Sequence, residues 1–289
     1  MIDKLDIDQI KSFLPNVQEL TFFRKGGFKL VYKGKIENNI EAVKFVYIPV
    51  DQNDKEVKEE NLRRAKREVE IIKKTKSPFL VKLGKISPVE KIIDGKTFYL
   101  YSEEFLSGEN LSEIIKKGHN PTQKELKVLC NCLIDCISEF KGSRVVHRDI
   151  KPLNVIKTKA KNRPFVLFDL GVAFYTAGTN LTKDPRRVPG TVPYYAPEYF
   201  DNKFRDRLDF RTDLYNIGLT IYEYSTGIHP FKSNDQYTTL SSIIHKTPEP
   251  LKSKRVDLED SFCQLIDSWL KKKPMLRKSN FDKIKEIIQ

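Results

Sequence analysis

The chain has 289 residues, with 52 Lys and Arg against 39 Asp and Glu, a formal charge of +13 and 39% hydrophobic residues. That length can bury a sizeable core as one large domain or two coupled lobes, and 11% aromatic beside 31% charged residues describes a folded chain. No apolar run approaches the ~20 residues that span a bilayer, and MIDKLDIDQI puts acids where a signal peptide carries a basic head, so membrane-spanning and secreted readings are set aside.

Along the chain, Ile7, Ile10, Phe13 and Leu14 recur at helical spacing before Pro15, which predicts a short helical extension over residues 1–19. From Leu20 to Glu104 the pattern is mostly strand: LTFFRKGGFKLVYKGKI, IEAVKFVYI, FLVKLGKI and TFYLYSEE are rich in β-branched and aromatic residues and broken by Gly, Pro, Asn or Asp. One long helical pattern, about 55–75, interrupts them. Past Leu111 helices dominate, around 111–117, 122–141, 211–226, 235–246, 258–270 and 279–288. The expectation is an α+β chain, with a strand-rich lobe over 20–105 and a larger, mainly helical lobe over 106–289. With so few residues before the first strand and the last helix ending the chain, no attached regulatory domain is expected.

Cys130, Cys132, Cys136 and Cys263 are too few for a disulfide framework. Three fall in KVLCNCLIDCISEF, at helical spacing, and read as small core residues in a reducing, cytoplasmic compartment. The basic residues are interleaved with acids, as in KEVKEENLRRAKREVEIIKK, so solvated helix faces explain them better than a nucleic-acid surface.

The residues that carry chemistry begin at His147-Arg148-Asp149-Ile150-Lys151-Pro152-Leu153-Asn154. An Asp, a Lys two positions on and an Asn five positions on can orient a hydroxyl and accept its proton, neutralise a transferring phosphoryl group, and hold a divalent cation. Further on, apolar Phe165-Val166-Leu167-Phe168 runs into Asp169-Leu170-Gly171, a carboxylate placed to be a second cation ligand.

Together these segments resemble the eukaryotic-type protein kinase family, from about residue 20 to the end. HRDIKPLN is similar to its catalytic loop, and Asp169-Leu170-Gly171 to its DFG motif with Leu for Phe. GTVPYYAPE is similar to the segment closing the activation loop, Arg277 to the Arg that pairs with Glu198, and Asp213 to the Asp that braces the catalytic loop. Ala42-Val43-Lys44 resembles the strand whose Lys reaches the α- and β-phosphates. Glu68, ten residues before Pro78, is its expected partner, whereas Glu70 points about 200° away around the helix.

Two places depart from the family. Against GxGxxGxV, Arg24-Lys25-Gly26-Gly27-Phe28-Lys29-Leu30-Val31 keeps only Gly26, with Arg24 and Lys29 at the outer glycines. Either Gly27 absorbs the turn while the added cations help hold phosphates, or the loop is loose and ATP binds weakly. In the hinge, Glu104 aligns with the usual first Glu and Leu106 offers an amide to adenine. Glu103 then falls at the gatekeeper position, or Ser102 if the hinge carries an insertion. A carboxylate there needs a partner, such as Lys44 or a nearby Tyr.

The resemblance implies that Gly26, Gly27, Phe28, Val31, Ala42, Lys44, Glu104, Leu106, Ile156 and Asp169 contact ATP, with Asn154 and Asp169 on Mg2+ or Mn2+. Asp149, Lys151, Asn154, Lys44 and Glu68 form the catalytic set. Lys151 and Thr191 fit the Ser/Thr class, with Thr191 tied to Asp149 and Lys151. Arg148 implies control by activation-loop phosphorylation, for which Thr179 or Thr182 is the expected site because Arg187 holds the commonest position. Ordering of that loop by Lys183, Arg186 and Arg187 is the competing view. The function expected is an ATP-dependent Ser/Thr protein kinase acting on protein substrates and, in a transient homodimer, on itself. Its alternatives are a pseudokinase scaffold and a small-molecule phosphotransferase, the latter disfavoured by GTVPYYAPE.

Overall fold

The computed structural model describes residues 2–49, 55–175, 190–201 and 208–289, so Thr179, Thr182, Lys183, Arg186 and Arg187 lie outside the described residues. The chain divides into two units: residues up to Lys74 with Val81–Leu106, and Thr75–Leu80 with Ser107–Gln289. The fold is α+β.

The first unit opens with α1 (Ile7–Phe13), capped by the Asp6 carboxylate, which accepts the N–H groups of Asp8 and Gln9 at 2.9 and 3.0 Å. Strands β1 (Val17–Gly26), β2 (Lys29–Ile36) and β3 (Asn39–Ile48) form an antiparallel meander. Helix α2 (Lys55–Lys74) follows, then β4 (Val89–Ile93) and β5 (Lys96–Glu104), giving the order β1-β2-β3-β5-β4. Because side chains alternate across a strand, Leu30, Tyr32, Val43, Phe45, Phe98 and Leu100 share one face. Ile2, Leu5 and Ile10 bury themselves in that same cluster, and the Tyr32 hydroxyl donates to the Leu5 carbonyl at 2.8 Å, so the N-terminal segment is part of this core. The opposite face packs Val46, Ile48, Tyr99 and Tyr101 against Ala65 and Val69 of α2.

FLVKLGKI, expected as a strand, is not one. It makes two isolated bridges, Leu80 with Leu167 and Leu83 with Glu103. The edge strand is instead VEKII, at 89–93, joined to β5 by a turn in which Asp94 and Gly95 have φ of 49° and 70°. Asp-Gly between strands is the signature of such a two-residue turn, and it was available in the sequence.

In the second unit, β6 (Gly108–Asn110), β8 (Val155–Thr158) and β9 (Phe165–Leu167) form one small sheet, and β7 (Val145–Val146) pairs with β10 (Phe174–Tyr175). The described helices are α3 (Leu111–Lys116), α4 (Gln123–Gly142), α5 (Phe210–Thr226), α6 (Gln236–His245), α7 (Leu251–Lys254), α8 (Asp260–Trp269) and α9 (Phe281–Ile288). The one-turn α7 was not expected from the sequence. A capping box between Asn110 and Glu113 starts α3. Helix α5 is buried nearly all round, which fits the centre of a helical core. Cys130, Cys132 and Cys136 are buried on α4, and burial pushes their thiols up, Cys132 to about 12, which keeps them protonated and inert. Among the described residues no helix is long and apolar enough to cross a membrane.

Candidate functional site

In the second unit, strand β7 delivers the chain into the loop 147–151. Asp213, wholly buried near the start of α5, accepts the backbone N–H of His147 at 2.8 Å and of Arg148 at 2.9 Å. Those two bonds hold Arg148 at φ +70°, a left-handed conformation unfavourable for any residue that carries a Cβ. The Arg148 guanidinium donates to the Val172 carbonyl at 2.6 Å, and Thr220 of α5 donates to the Ile150 carbonyl at 3.3 Å. The loop is therefore fixed from several sides.

On that loop Asp149 is buried, and its Oδ2 accepts from Lys151 Nζ at 2.6 Å and from Asn154 Nδ2 at 3.1 Å. Its Oδ1 has no hydrogen-bond partner among the described residues. Lys151 also donates to the Thr191 hydroxyl. Asn154 spends its amide N–H groups on the Asp149 side chain and carbonyl, the latter at 2.9 Å, which leaves its amide oxygen as the atom able to meet a cation. The Phe168 N–H donates to the Asn154 carbonyl at 3.0 Å, so the backbone sets Asp169 beside Asn154. Asp169 is itself held at φ +66°, and the Gly171 N–H reaches its Oδ1 at 3.4 Å.

Glu198 and Arg277 form a buried bidentate pair, both bonds 2.7 Å. The remaining Arg277 donors go to the carbonyls of Arg211, Lys271 and Lys272, and Thr212 donates to Glu198 at 2.8 Å.

Comparison with known proteins places nearly the whole chain. The pattern of the protein kinase domain covers residues 21–289. The chain belongs to that family. It is 27% identical over 267 residues to a probable serine/threonine-protein kinase of Clostridium perfringens, covering 91% of this chain and 36% of the relative. It is 27% identical over 286 residues to a dual specificity mitogen-activated protein kinase kinase of Caenorhabditis elegans (92% and 59%), and 25% over 272 residues to a serine/threonine-protein kinase of Myxococcus xanthus (92% and 48%). The chain thus spans between about a third and three fifths of these relatives' length.

In the first unit of this kinase domain, β2 and β3 place Val31 opposite Lys44, and β3 and β5 place Lys44 opposite Tyr101 and Ala42 opposite Glu103. Lys29, Lys44 and Glu103 consequently share the sheet face that α2 covers, and buried Glu68 projects from α2 toward them. Lys44 Nζ lies 2.5 Å from Glu103 Oε2 and 3.7 Å from Glu68 Oε1. Both Glu68 oxygens accept from Lys29 Nζ at 2.8 Å. The expected Lys44–Glu68 pair is therefore the longer contact, and Lys29, expected to hold phosphates, is the nearest partner of Glu68. Strand alternation was the available signal, since Leu30 and Tyr32 are apolar and Lys29 and Val31 must face the other way. Burial pushes the Glu103 carboxyl above its ordinary value, against the pull of Lys44. Glu70 is exposed and pairs with Lys74 at 2.5 Å.

Among the remaining expected nucleotide contacts, Gly26 ends β1 opposite Lys29, and Gly27 and Phe28 make the turn to β2, with Gly27 at φ +31° and Phe28 exposed. Val31, Ala42 and Ile156 are half-buried strand residues, and Leu106 follows β5 half-buried. The Glu104 carboxylate accepts the Lys82 N–H at 2.9 Å. Ser102, the other gatekeeper candidate, is fully buried and donates to Glu41 at 2.6 Å.

Proposed function

We propose that the chain is a serine/threonine protein kinase transferring the γ-phosphoryl group of ATP to Ser or Thr hydroxyls of protein substrates, itself included through a transient homodimer. The observation that carries this reading is the Asp149 carboxylate: one oxygen clamped by Lys151 and Asn154, the other buried without a partner among the described residues. A hydroxyl bonded to Oδ1 is oriented for in-line attack and gives its proton to that atom, while the Lys151 ammonium stabilises charge on the transferring group. Thr191, bonded to Lys151, ties the segment ending in Glu198 to the same loop. The Ser/Thr preference is supported by Lys151 and by the names of the Clostridium and Myxococcus relatives.

The oxygen donors Asn154 and Asp169 are the kind that hard divalent cations take, and Mg2+ or Mn2+ bound there would supply charge neutralisation for the phosphates. Lys44 would position the α- and β-phosphates, with Glu68 of α2 as its longer, 3.7 Å ion contact and with Gly26, Gly27, Phe28, Val31, Ala42, Glu104, Leu106 and Ile156 as further nucleotide contacts. Thr179 or Thr182 would be the site of autophosphorylation, which phosphopeptide mapping of active protein tests. The cytoplasmic setting expected from four free cysteines belongs to the same proposal.

Labelled ATP, Mg2+ and a generic basic protein provide the test. Wild type should transfer label, and Asp149→Asn should lose activity by about a hundredfold or more. Equal labelling by both proteins would overturn the reading, and ATP binding without transfer would support a scaffold instead.

A further inference from the structure

The two departures from the family pattern, Lys29 at a glycine position and Glu103 at the gatekeeper position, meet in one buried cluster with Lys44 and Glu68. Each lysine has its own carboxylate: Lys44 is 2.5 Å from Glu103, and Lys29 is 2.8 Å from both oxygens of Glu68. The 3.7 Å contact between Lys44 and Glu68 is too long for a hydrogen bond. Glu68, Glu103 and Lys44 are all buried, and the side chain of Lys29 is 20% exposed.

Charge balance explains why neither departure stands alone. One buried Lys–Glu pair is neutral, and adding Glu103 to it would leave an uncompensated carboxylate in a low-dielectric site, which is strongly destabilising. Lys29 supplies the missing cation. Conversely, Lys29 without Glu103 would crowd two ammonium groups around Glu68. The electrostatics of Glu103 carry the same coupling, with Lys44 and Lys29 favouring its ionised form and Glu68 opposing it.

We propose that Glu103 and Lys29 are a compensating pair of positioning residues for the phosphate-binding lysine, Glu103 fixing the Lys44 ammonium directly while Lys29 occupies Glu68. The inference deepens the phosphotransfer reading and rests on it for the role of Lys44.

Two readouts test it on the full chain with Glu103→Gln, Lys29→Met, the double variant and Glu68→Gln. The first is the rate at which limiting acetic anhydride acetylates Lys44 without nucleotide, followed by mass spectrometry. The second is KM for ATP and kcat. Losing its nearest carboxylate favours the neutral, nucleophilic amine, so Glu103→Gln should speed Lys44 acetylation at least about fivefold, and Glu68→Gln should change it less than about twofold. Glu103→Gln should raise KM for ATP by about tenfold, and Lys29→Met should impair activity through Glu68. The double variant, left with one lysine and one glutamate, should recover most of the loss. Should Glu103→Gln fold poorly, the comparison of Lys29→Met with the double variant keeps the same prediction.

Faster Lys44 acetylation in Glu68→Gln than in Glu103→Gln would overturn the pairing. Single-variant losses that multiply in the double variant, or unchanged KM and kcat in Glu103→Gln, would overturn the positioning role. Acetylation needs no turnover, so a wild type that transfers no phosphate fails the kinase reading alone. Calorimetric ATP affinity then replaces KM in deciding the inference.

Discussion

Asp213 accepts two backbone N–H groups while wholly buried, and the two effects oppose each other. Burial raises its carboxyl to about 7, against the lowering pull of the Arg148 and His147 N–H groups. The folded chain therefore holds a proton between about 4 and 7 that the unfolded chain has already lost, so this residue makes stability fall as pH rises through that window. Denaturant unfolding at pH 5 and pH 8 should show a smaller loss for Asp213→Asn than for wild type, because the amide does not titrate. Equal losses would remove Asp213 as the source. The variant should also be less stable than wild type at pH 8, since an amide offers one acceptor oxygen where the carboxylate offers two. The motif made Asp213 legible as a brace. Its titration was not legible, because that depends on how completely α5 is enclosed.

At the scale of elements, the segment after Pro78 shows why local pattern misled. FLVKLGKI has strand composition, yet Gly84 sits where a Cβ would collide with Glu41 Oε2 and Ser102 Oγ, atoms that already bond each other at 2.6 Å. Glu41 also accepts the Lys85 N–H at 2.9 Å, and the Ser102 hydroxyl accepts the Ile86 N–H at 2.9 Å. This polar knot sits among a few backbone bonds to β5, such as Gly84 N–H to the Ser102 carbonyl at 2.8 Å, and no regular ladder forms. Gly84→Ala must break it or shift the backbone, and should cost about 1–3 kcal/mol in chemical denaturation. A loss below about 0.5 kcal/mol would mean the knot relaxes freely. The meander β1–β3 and the helices α2, α4 and α5 were legible because their apolar periodicity runs long. Strand β4 is short and mostly exposed, and only its Asp-Gly turn marked it.

For the whole molecule, a charge of +13 bears on encounter with substrate rather than on fold. For the proposed phosphotransfer, kcat/KM for an acidic peptide should fall several-fold as salt rises from about 0.05 to 0.3 M, while a neutral peptide changes little, since screening shortens the Debye length below about 10 Å. Parallel salt slopes for the two peptides would discard long-range attraction. The sequence by itself determined the family and the α+β class, and it put Asp149, Lys151 and Asn154 on one loop, because those motifs are contiguous and their spacing survives without coordinates. Only the tertiary structure decided which carboxylate holds which lysine. Lys29, Lys44, Glu68 and Glu103 come from four separate elements, and ion pairing depends on a difference of about an ångström that register and helix packing, not sequence spacing, impose.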